Sequence, residues 1–198
     1  MKTNREEIIL PPPKTKGEMS LEEAIWRRRS VRRFSSAPLP LEAISQILWA
    51  GQGISDKYTR FRTAPSAGAI FPCHLYALLP EGVYKYMPDE HKLSLHLRDD
   101  LRSPLAEASL YQDFIAEAPL VIVITAELSK TMARYGTRAT RYVYMEIGHI
   151  GQNIQLQAVA LGYDSVCVGA FQDEKVKSLL SLPTPEEPLY IIPVGKKR

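Results

Sequence analysis

Cysteine is scarce: the 198-residue chain holds two, Cys73 and Cys167, far apart and each among apolar neighbours. Small secreted scaffolds are cysteine-dense, so a disulfide framework is excluded. There is no CxxC pair, and the four histidines do not pair usefully, because His91 and His96 are five apart and fall on different faces of a helix or strand. No metal site is expected. No apolar run approaches the roughly 20 residues of a membrane helix; the longest, Leu120 to Ala126, is strand-sized. The opening MKTNREEIILPPPKTKGE has no apolar stretch behind its basic start, so no secretory signal is expected and the cytoplasm is the expected location. Charge of either sign is nearly balanced, at net +3, which leaves no extended basic stripe of the kind nucleic acid selects. Neither Gly51-Gln-Gly53 nor Gly148-His-Ile-Gly151 is a dinucleotide fingerprint, since neither lies in a strand–turn–helix unit of the required spacing. The second pair falls inside a long helix, where it would permit close packing.

What is present is ordinary globular material, 45% hydrophobic and 24% charged, enough to bury a real core. Residues 1–19 read as an extended, poorly ordered lead-in, because Pro11-Pro12-Pro13 excludes helix. Ser20 is a good N-cap with Glu23 completing a capping box, and the helix LEEAIWRRR ends in arginines that suit its negative dipole end. A second helix starts near Leu41, with Leu41, Ile44, Ile47 and Leu48 on one face and Gly51 as its stop. HLYALL is a strand, VYKYM and KLSLHL a hairpin around Pro88-Asp89-Glu90, and 100–117 a helix with Pro104 near its start. LVIVITA is a buried strand. The longest helix spans about Thr140 to Leu161 on the spacing of Val143, Ile147, Ile150, Ile154, Ala158 and Leu161, and Gly162 ends it. A strand SVCVGAF, a short helix EKVKSLLSL and a final strand LYIIPVG follow. The order predicts an α+β layering of helices around one mixed sheet.

Three features carry chemistry. Five arginines crowd into Arg27 to Arg33, in WRRRSVRRF. Guanidinium groups offer planar paired donors that match phosphate oxygens and stay charged at any working pH, so the cluster fits one compact dianion. A solvated basic helix end and a nucleic-acid contact remain alternatives. The loop APSAGA (Ala64 to Ala69) has side chains too small to obstruct a flat ligand, and its amides are free to face one; a plain surface turn has the same composition. Gly169-Ala170, past the strand VCV, offers a second close approach, or a tight turn. On the long helix Glu146, His149 and Asn153 share a face opposite the apolar seam, which reads as a polar interface stripe or a catalytic set.

In order, RRRSVRRF, PLPLEAISQILWAGQGIS, RTAPSAGAIFPCHLYAL, RYGTRATRYVYMEIGHIGQNIQLQAVALGYDSVCVGAF and PLYIIPVGKK resemble the nitroreductase superfamily, and within it the SagB-type dehydrogenase branch, from about Leu10 to the C-terminus. The resemblance implies a mixed, largely antiparallel sheet flanked by helices, with residues 20–198 forming one FMN-binding domain. Long helices would build a homodimer, with FMN at the interface touching both subunits. By the same resemblance Arg28, Arg29, Ser30 and Arg32 bind the FMN phosphate and ribityl chain. Pro65, Ser66 and Ala67 come from the partner subunit to line the isoalloxazine, Gly169 and Ala170 approach the ring, and Lys196 or Arg198 completes the phosphate site. Two departures stand out. Ala69-Ile70-Phe71-Pro72 lacks the asparagine many members carry there. Arg134-Tyr135 replaces the lysine-tyrosine pair of azoline-oxidising members, and arginine is a poor general base. The implied activity is ping-pong reduction of a small nitro or quinone acceptor by NAD(P)H through FMN, with no catalytic side chain assigned. An azoline or peptide dehydrogenase and a non-catalytic flavin-binding module are the alternatives.

Overall fold

The computed structural model describes residues 6–198, so the lead-in expected for residues 1–5 lies outside the described residues. Seven strands share one sheet: β1 (Glu7–Ile9), β2 (Cys73–Leu79), β3 (Gly82–Met87), β4 (Lys92–Leu97), β5 (Leu120–Ala126), β6 (Asp164–Ser165) and β7 (Glu187–Gly195). Their order is β1-β4-β3-β2-β5-β7-β6. Every pair of named strands is antiparallel, and the parallel element is a single bridge between Ser30 and Ser165. The α+β reading holds.

Helices α2 (Leu41–Gln52) and α6 (Ala139–Ala160) cover one face of the sheet. Helices α3 (Arg102–Ala108), α4 (Phe114–Glu117) and α7 (Asp173–Leu179) cover the other. β5 shows why its sequence is apolar throughout: Leu120, Ile122, Ile124 and Ala126 enter the first core, Val121 and Val123 the second. A strand buried on both faces has no alternation to display. Helix α1 (Leu21–Arg27) packs against α6, and α5 (Leu128–Tyr135) leads into α6 through a tight turn at Gly136–Arg138.

Several boundaries differ from the sequence reading. The lead-in is docked from residue 7 onward: β1 pairs with β4, and Leu10 is 4% exposed in the core. Beyond it, the Ser45 hydroxyl donates to Pro11 O at 2.6 Å, and Gln46 exchanges two hydrogen bonds with the Lys14 backbone. Proline excluded helix there but not sheet. Ser20 caps α1 as expected, its Oγ accepting from Glu23 N at 3.1 Å. The helix stops at Arg27, short of LEEAIWRRR, because the following backbone is captured elsewhere: Val31 N donates to Ser165 O at 3.1 Å. Gly51 does not stop α2; a Cβ there would meet Ile154 and Leu75 at 3.1 Å, so its small size admits the sheet and α6, and Gly53 caps the helix. The expected helix 100–117 is two, since Leu110 and Tyr111 both take φ near 59° and break it. SVCVGAF pairs as β6 and then only through Val168, which exchanges two hydrogen bonds with Ile191.

Candidate functional site

The arginine-rich segment runs extended along the rim of the sheet. Ser30 bridges Ser165 and Phe34 bridges Lys197. Ser35 N donates to Lys196 O at 2.8 Å, and Arg198 N donates to Arg33 O at 3.2 Å. The pairing brings the backbone around Arg32 and Arg33 beside Lys196 and Arg198, residues some 160 positions away in sequence, while Ser30, just after Arg28 and Arg29, lies against Ser165. Arg28 is half-buried and the others are exposed. Arg29 is partly committed, its Nη1 donating to Trp26 O at 2.8 Å and to Arg28 O at 2.7 Å. Among the described residues none of Arg28, Arg29, Arg32, Lys196 and Arg198 forms an ion pair with a carboxylate. Like charges held together without a carboxylate partner attract an anion.

Gly169 and Ala170 lie exposed at the end of the segment that Ser30 bridges. A Cβ on Gly169 would meet only the Tyr190 ring edge, at 3.8 Å, so the backbone there is open to a flat ligand. Arg28 belongs to the same neighbourhood: burial pushes the Cys167 thiol up to about 11, and the Tyr190 hydroxyl and the Arg28 charge pull it partly back.

The small-residue loop, residues 64–71, sits elsewhere. It enters β2 at Cys73, which pairs with Ala126 at the end of β5, whereas Lys196 follows Gly195 at the opposite end of the central strands. Leu120 to Ala126 separates these ends by roughly 20 Å at the usual strand rise. Pro65 is exposed, Ser66 and Ala67 half-buried. The loop is strained: Gly68, Ala69 and Phe71 have φ of 64°, 53° and 51°. Left-handed backbone at non-glycine residues persists where surroundings enforce it, and such strain concentrates at functional positions. Enforcement comes from Phe71 N donating to Ser66 Oγ at 2.9 Å and from Arg62 over the Phe71 ring at 4.9 Å. A Cβ on Gly68 would fall 2.6 Å from the Tyr135 hydroxyl and 2.7 Å from Arg134 Nη1, both at the ends of flexible side chains, and the φ of 64° there favours glycine.

Residues 25–196 match the model of the nitroreductase family. The chain is a member of that family. A protein of Methanocaldococcus jannaschii, provisionally named a nitroreductase, is 43% identical over 186 residues, 91% of this chain and 92% of its own. The crystal structure of a protein of Ralstonia eutropha, given the same provisional name, superposes with a TM-score of 0.91 at 32% identity, over 99% of this chain and 91% of that one. The NADPH:FMN oxidoreductase of Vibrio harveyi, complexed with NAD+, shares the fold at a TM-score of 0.68 and 19% identity, over 89% of this chain and 68% of that one. Family membership makes this chain an oxidoreductase. No helix among the described residues is long and apolar enough to cross a membrane.

The chain departs from the sequence reading on α6. Glu146 does not share an outward stripe with His149 and Asn153: it is 2% exposed, His149 faces out, and Asn153 is half-buried with its Nδ2 donating to Thr63 O at 3.3 Å. The outward stripe consists of Arg141, Tyr144, Met145, Gly148, His149 and Gln152, and two of its members are large and apolar. Helical spacing had joined positions 146, 149 and 153, but the inward arc of α6 is wide enough to take Glu146 with its apolar seam. A Cβ on Gly151 would make ordinary contacts with Tyr190 at 3.4 Å and Cys167 at 3.5 Å, and one on Gly148 would meet nothing within 4 Å, so packing within the chain requires neither glycine.

One polar cluster escaped the sequence reading, which compared histidines only with one another. His74, Glu127 and Glu186 come together at the β2–β5–β7 end, with ligand atoms within 4.8 Å of one another. His74 Nε2 lies 2.9 Å from Glu127 Oε1, and Glu186 accepts from the Thr125 hydroxyl. Lys130 at 2.7 Å and Lys85 at 3.3 Å neutralise the two carboxylates, so the cluster is a closed ion-pair network. Burial holds the His74 imidazole below its ordinary value, and the Lys130 ammonium holds Glu127 low. The β2–β5 register, His74 opposite Thr125, was the available signal.

Proposed function

We propose that this chain is an FMN-dependent NAD(P)H oxidoreductase that works as a homodimer and reduces a small organic acceptor of the nitro or quinone class. The observation that carries the reading is the uncompensated cation cluster of Arg28, Arg32, Lys196 and Arg198, which runs directly into the open backbone at Gly169. A phosphate at one end and a flat ring at the other is the shape of a flavin mononucleotide, and the donor set fits it. FMN, when bound, supplies the hydride chemistry, which asks little of acidic or basic side chains. This chain's part is to grip the phosphate through Arg28, Arg29, Arg32 and the C-terminal cations, and to orient the ribityl chain through Ser30. The backbone at Gly169 and Ala170 admits the ring, and one side stays open for NAD(P)H and the acceptor in turn.

In the homodimer, Pro65, Ser66 and Ala67 of a second copy would line the ring seated at Gly169. The outward stripe of α6 supports this, since Tyr144 and Met145 are more than half exposed and Gly148 would let a partner helix approach closely. Trp26, 73% exposed on α1 beside α6, extends the same apolar surface. An azoline dehydrogenase of the SagB type is disfavoured because Arg134 stands where those members carry lysine and its guanidinium is directed at Gly68 O, 3.4 Å away. The test is direct: the purified protein should be yellow or take up FMN, run as a dimer, and lose its flavin absorbance when NADH or NADPH is added without oxygen. Bound flavin that neither nucleotide reduces would leave a binding module and sink the enzyme assignment.

A further inference from the structure

Glu146 is a carboxyl in the wrong place for a helix seam. Its neighbours on the inward side of α6 are Val143, Ile147 and Ile150, all at most 5% exposed. A leucine would fill the position without the desolvation cost that a buried carboxyl carries. What surrounds the carboxyl comes from four parts of the chain: Gln52 at the end of α2, Arg62, Ser66 in the strained loop, and Cys73 at the start of β2. Burial pushes Glu146 above its ordinary value, and the Ser66 hydroxyl, the Cys73 thiol and Arg62 pull it partly back. Asp89 and Tyr86, with Glu146 and Cys73, are the charged and titratable groups that act on Arg62. The nest is not saturated, for Glu146 Oε1 and Gln52 Nε2 are buried without hydrogen-bond partners.

We propose that Glu146 is the positioning residue of the loop 64–71: its buried carboxyl holds the Ser66 side chain, and through Ser66 fixes where the Pro65–Ser66–Ala67 backbone is presented to a flavin ring. The functional half of this inference rests on the flavin reading above. The chain of bonds is directional. Phe71 N–H donates to Ser66 Oγ at 2.9 Å, so the Ser66 hydroxyl proton is available to the Glu146 carboxylate, and each bond polarises the next. Arg62 repeats the link by a second route, since it neutralises Glu146 from one side and covers the Phe71 ring from the other. Both constraints on the left-handed Phe71 backbone therefore converge on one carboxylate. Charge on Glu146 tightens the loop, and protonation slackens it.

The experiment uses the full chain with Glu146→Gln, Glu146→Leu and Ser66→Ala, and reads the Phe71 backbone amide by NMR between about pH 5 and pH 8. In the parent that amide should titrate with a midpoint above the ordinary glutamate value, and the titration should vanish in Glu146→Gln and in Ser66→Ala. Added FMN, followed by fluorescence quenching, should bind Glu146→Leu about tenfold more weakly, the loss expected for one hydrogen bond, while Glu146→Gln, which still accepts from Ser66 but carries no charge, should fall between Glu146→Leu and the parent. A Phe71 amide blind to pH in the parent, or unchanged in Glu146→Gln, overturns the proposal, as does unaltered FMN affinity in folded Glu146→Leu. Parent protein that ignores FMN defeats the flavin reading instead, and the Phe71 amide alone then decides the anchoring role.

Discussion

Arg32 offers the sharpest test of the phosphate assignment, because its side chain does nothing else. It is exposed and has no hydrogen-bond or ion-pair partner among the described residues. Replacing it with alanine should therefore leave stability within about 0.5 kcal/mol of the parent. Any shift should favour the variant, since Arg28, Arg33 and the C-terminal cations repel it at ordinary salt. A guanidinium donating to a phosphate contributes about 1.5–3 kcal/mol, so Arg32→Ala should weaken FMN about 10–100-fold. Arg29 supplies the contrast. Its Nη1 satisfies two carbonyls at the end of α1, so Arg29→Ala should lower stability by about 0.5–1 kcal/mol and cost less affinity than Arg32→Ala. The assay is fluorescence titration with FMN and with riboflavin, which shares the ring and lacks the phosphate. Arg32→Ala should erase the preference for FMN while leaving riboflavin unchanged. Equal losses for both ligands, or FMN affinity within twofold of the parent, would refute the assignment of this cluster to a phosphate.

Other consequences follow from the packing. Leu10→Ala should cost about 2–4 kcal/mol in urea unfolding, because the lead-in is docked in the core; a loss below about 0.5 kcal/mol, the range of surface positions, would mean that it is not. Gly195→Ala places a Cβ 2.8 Å from Pro119 and 3.2 Å from Phe34; it should destabilise by about 1–3 kcal/mol and, by displacing Phe34, weaken FMN as well. His91 is neutral by construction: its Nδ1 accepts from the Tyr86 hydroxyl at 2.8 Å and its Nε2–H donates to Pro11 O at 2.9 Å, while burial lowers its pKa. The unfolded chain then takes up the proton first, so this stability is complete above the ordinary histidine value and is lost as pH falls through the lower folded value. The slope is at most about 1.4 kcal/mol per pH unit. His91→Gln should flatten the acid side of a stability–pH curve; an unchanged slope would show that His74, shifted the same way, carries all of it.

The sequence was legible where one residue's chemistry decides its neighbourhood, and misleading where a distant segment does. Ser20 caps α1 because a serine at that position needs only Glu23 N, three residues on. The apolar spacing of α6 placed that helix to within a residue, since its seam is wide and uninterrupted. The end of α1 failed for the opposite reason: nothing in WRRRSVRRF announces that Ser165 and Lys197 will claim its backbone. The same long-range pairing joins the arginines to Lys196 and Arg198, and only a resemblance to whole relatives could have anticipated it. Glu146 is the instructive case. Periodicity sorts positions by face and takes a carboxylate as evidence for the outer one, yet the arc of α6 facing the sheet is broad enough to hold a residue that composition alone would expel. When a helix position reads as polar but its i+3 and i+4 neighbours do not settle which side it takes, the deciding quantity is what waits on the inside. Here a serine, a cysteine, an arginine and a glutamine arrive from four separate stretches of chain to meet it. A buried charge that recruits partners from so many elements ties their positions to one another. The position of the strained loop is therefore a property of α2, β2 and α6 together, and cannot be read from APSAGA alone.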